Sequence, residues 1–412
     1  MRRLLTLAPV IAVALLASGC VFNVTSYTEP GGSQVYVGEV RNDGPPLARP
    51  YVTGTFYDAA GNLMGTQSAP VCRVMPTGSV AAFKLELPYA VRPARAEWKL
   101  NGTPVENAYL AEGLTAKLTS VGPRRPNPGN TIYRDTYYGE MRNESQNTYT
   151  GGHVCVAWVN ANGEVVRVAT GEVAGLRNAP GQVLPFAVEE YAPSDATDVL
   201  FFLDAVVTPP GVPPLVIRDL PRTAFRHGEE RAPFDENGSY YSGLGEVHNS
   251  GSEILSIYTS AIARDAGGKP VGVRSREPMC TVPAFPGSFT FAGYYMETTT
   301  TPPPPLELKI EGVVLDPNSV APLTPANVVL TDPDELTETP FVTVTVKNTT
   351  GRRLEAVVVC AAGYDSSGMM NTASRTFPQP GEGLDPGESR DFILELPRSG
   401  EIDSVKAIAA GS

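Results

Sequence analysis

The chain has 412 residues with 40 glycines, 39 prolines, 18% charged residues and a net charge of −12. That length fits two to four domains. Turn-rich, weakly charged composition suits β structure and argues against a helical or disordered chain. The acidic balance argues against nucleic acid as a partner, whose phosphates it would repel, and no basic patch with interleaved aromatics offsets it.

Residues 1–20 read MRRLLTLAPVIAVALLASGC. Arg2 and Arg3 precede an apolar run, Leu4 to Leu16, that is too short to span a bilayer. Ala17-Ser18-Gly19-Cys20 resembles the bacterial lipobox. In that reading residues 1–19 are a lipoprotein signal peptide and Cys20 is the lipidated residue. Several acyl chains on one cysteine anchor stably, since each buried CH₂ contributes about 0.8 kcal/mol. Losing Arg2 and Arg3 with the leader takes the net charge from −12 to −14. The lipid bilayer, reached through acylated Cys20, is thus the first expected partner. Val21, rather than Asp, follows the cysteine, which favours the outer membrane in a diderm. The alternative is an ordinary secretory peptide with a chance cysteine.

Beyond the leader a pattern recurs. The segments GEVRN, GEMRN, GEVHN and VTVKN end at Asn42, Asn143, Asn249 and Asn348, with steps of 101, 106 and 99 residues. Each is followed by a turn, YDAAGN, VNANGE, RDAGGK or YDSSGM, and then by PTGSVAAF, PGQVLPF, PGSFTF or PGESRDF. A spacing near 100 residues fits a whole small domain rather than a solenoid repeat. Within a copy the period is two, as in Val342, Val344 and Val346 against Thr343, Thr345 and Lys347, so one face meets a core and the other water. The Asp/Asn-x-x-Gly and Pro-Gly turns reverse the chain. The predicted fold is all-β, with four tandem immunoglobulin-like β-sandwich modules over residues 20–104, 112–208, 220–316 and 324–412.

The strand ending in Asn, the FYDxxG turn and the PGxxxxF strand resemble the FxLYD-type bacterial extracytoplasmic domain. The resemblance is best in copy one and departs at Ala263 and Gly363, where the turn aromatic is missing. It implies a β fold often borne by lipoproteins, and no active site.

In chain order, VFNVTSYTEP, LTAKLTSVGP and ANVVLTDP read as first strands of copies one, two and four, so almost no tether separates copy one from the anchor. Short proline-rich links suggest a semi-rigid rod of modules roughly 30 Å long, on the order of 120 Å in all. TTTTPPPP, from Thr298, is expected to form an extended loop, with a proline-groove partner as the sharper reading. TDPDELTE (331–338) is expected to be a solvated acidic loop, with Ca²⁺ held by Asp332, Asp334 and Glu335 as the alternative.

Four further cysteines follow Cys20. Cys72 and Cys280 lie 14 and 15 residues after the turn aspartates Asp58 and Asp265, whereas Cys155 and Cys360 lie five residues before Asn160 and Asp365. Copies one and three share one site, and copies two and four the other. In an oxidising compartment the pattern suggests Cys72–Cys155 and Cys280–Cys360, one of three possible pairings. Buried free thiols are the alternative.

Catalytic signatures are missing. The sequence contains no HExxH, GxSxG, GxGxxG, P-loop or CxxC pattern. His153, His227 and His248 form no set, and no carboxylate dyad can be located, so neither a catalytic residue, a metal ligand nor a cofactor is expected. Glu39/Arg41, Glu140/Arg142 and Glu246/His248 read as outward charge pairs worth under about 1 kcal/mol each. Tyr137/Tyr138, Tyr240/Tyr241 and Tyr294/Tyr295 should each put one ring on either face of a strand, and the outer rings are candidate contact anchors. The expected function is a non-enzymatic, lipid-anchored cell-envelope protein, a spacer or interaction module for an envelope protein or glycan. The alternatives are a periplasmic accessory or assembly factor and, less well supported, a glycan-active enzyme with an acid-lined cleft.

Overall fold

The structure is a computed structural model. It describes residues 19–412 apart from 89–90, 107–109, 123–124, 128–129, 192, 208–212, 232–233, 236–237, 278, 299–303, 332–338, 377–382 and 398–400; side chains are not described at 125–127, 130–133, 227–231, 234–235, 238–241, 276–277, 295 and 297–298. The protein is all-β: apart from one 3-10 turn, Arg222–Ala224, every regular element among the described residues is a strand. The Thr298 loop and the acidic run fall largely outside the described residues.

The chain divides into two compact units, one of Met1–Leu110, Ala157–Val168 and Pro193–Phe202, the other of Ala111–Val156, Ala169–Ala192 and Leu203–Ser412. The first unit contains copy one. Its strands Gly19–Thr28, Gln34–Asn42 and Val80–Glu86 form one antiparallel sheet, and Leu63–Pro70, Leu47–Tyr57 and Arg95–Pro104 form another. With six strands numbered in chain order, the two sheets are 1-2-5 and 4-3-6. Alternation drives the packing: Tyr36, Phe56, Phe83 and Trp98, one from each of four strands, meet with ring centroids 5.3–5.7 Å apart.

The second unit repeats the plan. Copy three has Phe225–Arg231, Gly238–His248 and Phe289–Thr298 in one sheet, and Pro270–Glu277, Leu255–Arg264 and Leu306–Val314 in another. Copy four has Pro325–Thr331, Phe341–Lys347 and Ser389–Glu395, then Met370–Arg375, Val357–Tyr364 and Ser404–Gly411. Copy two supplies the first of its sheets here, Leu114–Val121, Asn130–Asn143 and Val183–Glu190. In copy four Val342, Val344, Val346 and Leu394 of one sheet bury against Val357, Val359, Ala361 and Ala409 of the other, a sandwich core.

The aligned asparagines explain why the sequence repeats there. All four are buried. Asn42 Nδ2 donates to the carbonyls of Pro45 and Met75, while its Oδ1 accepts from the Gly44 amide. Asn143 makes the same three bonds with Asn147, Asn178 and Ser145, Asn249 with Glu253, Ala284 and Gly251, and Asn348 with Arg352, Leu384 and Thr350. Aspartate could not donate and leucine could do neither, so one side chain fastens three otherwise orphaned backbone groups. Each asparagine carbonyl also accepts from the glycine of the Pro-Gly segment, Gly78, Gly181, Gly287 or Gly387. These glycines have φ of 73–80°, which favours glycine.

Gly363, where the turn aromatic is missing, is filled from outside the turn. A Cβ there would meet Thr372 at 2.8 Å and Ile402 at 3.0 Å. The core volume an aromatic would take in copy four is occupied by other side chains.

Neighbouring copies in the second unit are packed together as well as joined by short links. Cys280, Val282 and Phe291 of copy three share one core cluster with Cys360, Ala362, Tyr364 and Met370 of copy four. A parallel bridge, Gly228 to Met370, joins their sheets.

Candidate functional site

Two places carry chemistry: the cysteines, and a buried carboxylate where copies three and four meet. Cys280 and Cys360 form a disulfide 80 residues apart in sequence. Cys72 and Cys155 are also disulfide-bonded, so none of the four is a free thiol. Cys20 is free and exposed. It belongs to the first strand, where it pairs opposite Arg41.

Glu246 overturns the expectation of an outward charge pair. It is 1% exposed. Lys406 Nζ donates to its Oε1 at 2.6 Å and the Tyr364 hydroxyl donates to the same atom at 2.7 Å. His248 Nε2 lies 2.8 Å from its Oε2. Lys406 also sits over the rings of Tyr364, at 4.5 Å, and Phe289, at 5.6 Å. Burial by itself would raise the Glu246 carboxyl, but the bonds from Lys406, Tyr364 and His248 outweigh it and hold the group below its ordinary value. Burial, and then the adjoining carboxylate, push the Tyr364 hydroxyl far above its ordinary value. The buried carboxylate thus fastens Gly238–His248 of copy three to Val357–Tyr364 and Ser404–Gly411 of copy four.

The equivalent residues behave differently. Glu39 is half-buried and accepts from Asn23 at 2.8 Å. Glu140 is half-buried between Lys117 and Arg264, each 3.4 Å away. One motif position thus yields a surface contact, an ion pair bridging copies two and three, and a buried lock. A second buried carboxylate, Glu311, is 1% exposed and accepts the Leu176 amide at 2.7 Å, the Arg177 amide at 3.2 Å and Lys309 Nζ at 2.8 Å. Sequence reasoning missed it, because nothing local to Glu311 reveals a partner 135 residues away.

The tyrosine expectation changes too. Tyr137 and Tyr138 are both buried, as is Tyr294, so the first pair offers no solvent-facing ring. Side chains of Tyr240, Tyr241, Tyr295 and His227 lie outside the described residues. His153 is half-buried, and His248 stacks on Phe289 at 5.4 Å. Asp135 and Glu190, both buried, stand opposite each other on paired strands. A carboxylate pair alone defines no reaction. Among the described residues no group of three His, Cys, Asp or Glu could hold a metal ion, and no helix is long and apolar enough to cross a membrane.

No protein-family model matches the chain, and no curated protein matches it.

Proposed function

We propose that the protein is a non-enzymatic lipoprotein of the cell envelope that presents a stack of β-sandwich copies for protein or glycan contact. The observation that carries this reading is the division of the cysteines. Four are disulfide-bonded, which fits an oxidising, extracytoplasmic compartment. The fifth, Cys20, stays free and exposed at the lipobox position. Cys20 is itself a strand residue, so an acyl group there attaches to folded structure with no leash between them. The likeness to FxLYD-type domains agrees with this placement. Carboxylates such as Glu246 and Glu311 are engaged in holding copies together, which supports a contact role over catalysis.

The test is mass spectrometry of the N-terminal peptide, with detergent phase partition of wild type and Cys20→Ala. The expected result is a diacylglyceryl-modified peptide starting at Cys20, and loss of membrane partition in the variant. An unmodified Cys20 in membrane-extracted protein would overturn the reading.

A further inference from the structure

Successive copies contact one another through one repeated pair of positions. On one side is the residue five after the turn Asp or Asn, on the fourth strand: Val165, Pro270 and Met370 in copies two to four. On the other is the first-strand residue that pairs opposite the position five before the corner asparagine: Thr25, Ser120 and Glu229 in copies one to three.

Within the first unit, the Thr25 hydroxyl donates to the Val165 carbonyl, and Arg167 two residues on lies 3.5 Å over the Tyr27 ring. Within the second unit, the Ser120 hydroxyl donates to the Pro270 carbonyl at 2.7 Å, the same bond one repeat later. One repeat later again, Gly228, next to Glu229, bridges to Met370. Each copy thus places the start of its fourth strand on the first strand of the copy before it.

A contact of this kind is heterologous: its two surfaces differ, so a finite stack has one unused surface of each type. The unused edge is at copy one. Its fourth-strand position is Leu63, 64% exposed, followed by Met64 at 43%, whereas its counterparts Val165, Pro270 and Met370 are buried. The unused face is at copy four. Its first-strand position is Val329, paired opposite Thr343, which in turn pairs opposite Ile393. Val329 is 44% exposed and Ile393 68%, apolar residues on the outer side of a sheet. Large apolar groups at the two surfaces that the internal stack leaves uncovered are what an intermolecular continuation of that stack requires.

We propose that copy four of one molecule accepts the copy-one fourth strand of a second molecule, head to tail, by the contact that already joins successive copies inside the chain. Leu63 of one protein meets the Val329–Thr343–Ile393 row of the next. Because the contact does not close on itself, association continues beyond a dimer.

The test uses the full-length protein in detergent. Leu63→Cys and Val329→Cys are made separately in a Cys20→Ala background and mixed, so that each carries one free cysteine. Oxidation of the mixture should give a covalent dimer, while either variant alone, or Leu63→Cys mixed with Leu215→Cys, should not. Leu215 is exposed and belongs to neither repeated contact position. Wild type should show a mass that rises with concentration in light scattering. Leu63→Asp and Ile393→Asp should each abolish that rise while leaving the melting temperature unchanged, since both positions are exposed. Wild type that stays monomeric at every concentration, crosslinking no faster than the Leu215 control, or association that survives both aspartates would overturn the proposal. None of these readouts depends on acylation of Cys20, so failure here leaves the envelope reading standing.

Discussion

Between copies three and four, a disulfide lies in the same core cluster as Tyr364, whose hydroxyl binds the carboxylate of Glu246. Between copies two and three the matching positions carry no cysteine. Ser260 stands where Cys360 does relative to its turn, and Ala174 and Gly175 stand where Cys72 and Cys280 do. There Glu311 takes two backbone amides, and Lys309 neutralises it. A side chain at Gly175 would sit 2.8 Å from Lys309 Nζ and would need a φ of 124°, so a cysteine there is strained. Both junctions are thus fastened by a buried, partnered carboxylate, and that between copies three and four adds a disulfide to it.

The largest effect should come from removing the covalent fastener. Cys280→Ala with Cys360→Ala should cost about 4 kcal/mol, the loop-closure term for a bridge of this span. Denaturant unfolding of the double variant against wild type measures it, and faster amide exchange should be confined to copies three and four. Next come the carboxylates. Glu246→Ala and Glu311→Ala should each cost about 3 kcal/mol, because each strands a buried partner set. If the two junctions are equivalent, the two losses agree within error; a much smaller loss for Glu246 would mean that the disulfide alone holds its junction.

Acid sharpens the comparison further. The folded Glu246 carboxyl titrates below its ordinary value, so its contribution is complete above an unfolded pKa of about 4.3 and is lost as the pH falls from there through the folded value. Protection of the Ser404–Gly411 amides, relative to their intrinsic exchange, should therefore fall in acid below that pH, and Glu246→Gln should flatten the dependence. The smallest effect is a gain. Asn178 is fully buried, and neither atom of its side-chain amide has a hydrogen-bond partner among the described residues. Its counterparts are Met75, Ala284 and Leu384, so Asn178→Leu should raise stability by about 1 kcal/mol, seen as a higher melting temperature with unchanged cooperativity.

The repeat was legible because its signals are local. A corner asparagine, a turn aspartate and a Pro-Gly pair each satisfy or bend backbone within some 35 residues, and each left a mark at fixed spacing. The junctions were not legible, because their partners come from other copies. Glu246 reads as one more outward glutamate until Lys406, 160 residues on, is brought to it. Tyr137 and Tyr138 read as one ring in and one out, on the assumption that a sheet has one wet face. Copy four keeps that alternation in Phe341–Lys347, whereas the next strand along the chain, Val357–Tyr364, is buried on both faces. The positions of the cysteines were readable for the same reason as the repeat: their offsets from the turns differ between odd and even copies.

The first strand has a mechanical consequence. Gly19–Thr28 is an edge strand whose ladder partner among the described residues is Gln34–Asn42, with Cys20 near its outer end. A load applied at Cys20 along the strand axis is shared by the whole antiparallel ladder and works against its bonds in shear. The same load applied sideways would peel the bonds one after another. Resistance to extraction by pulling at that end is therefore set by direction as much as by the number of bonds.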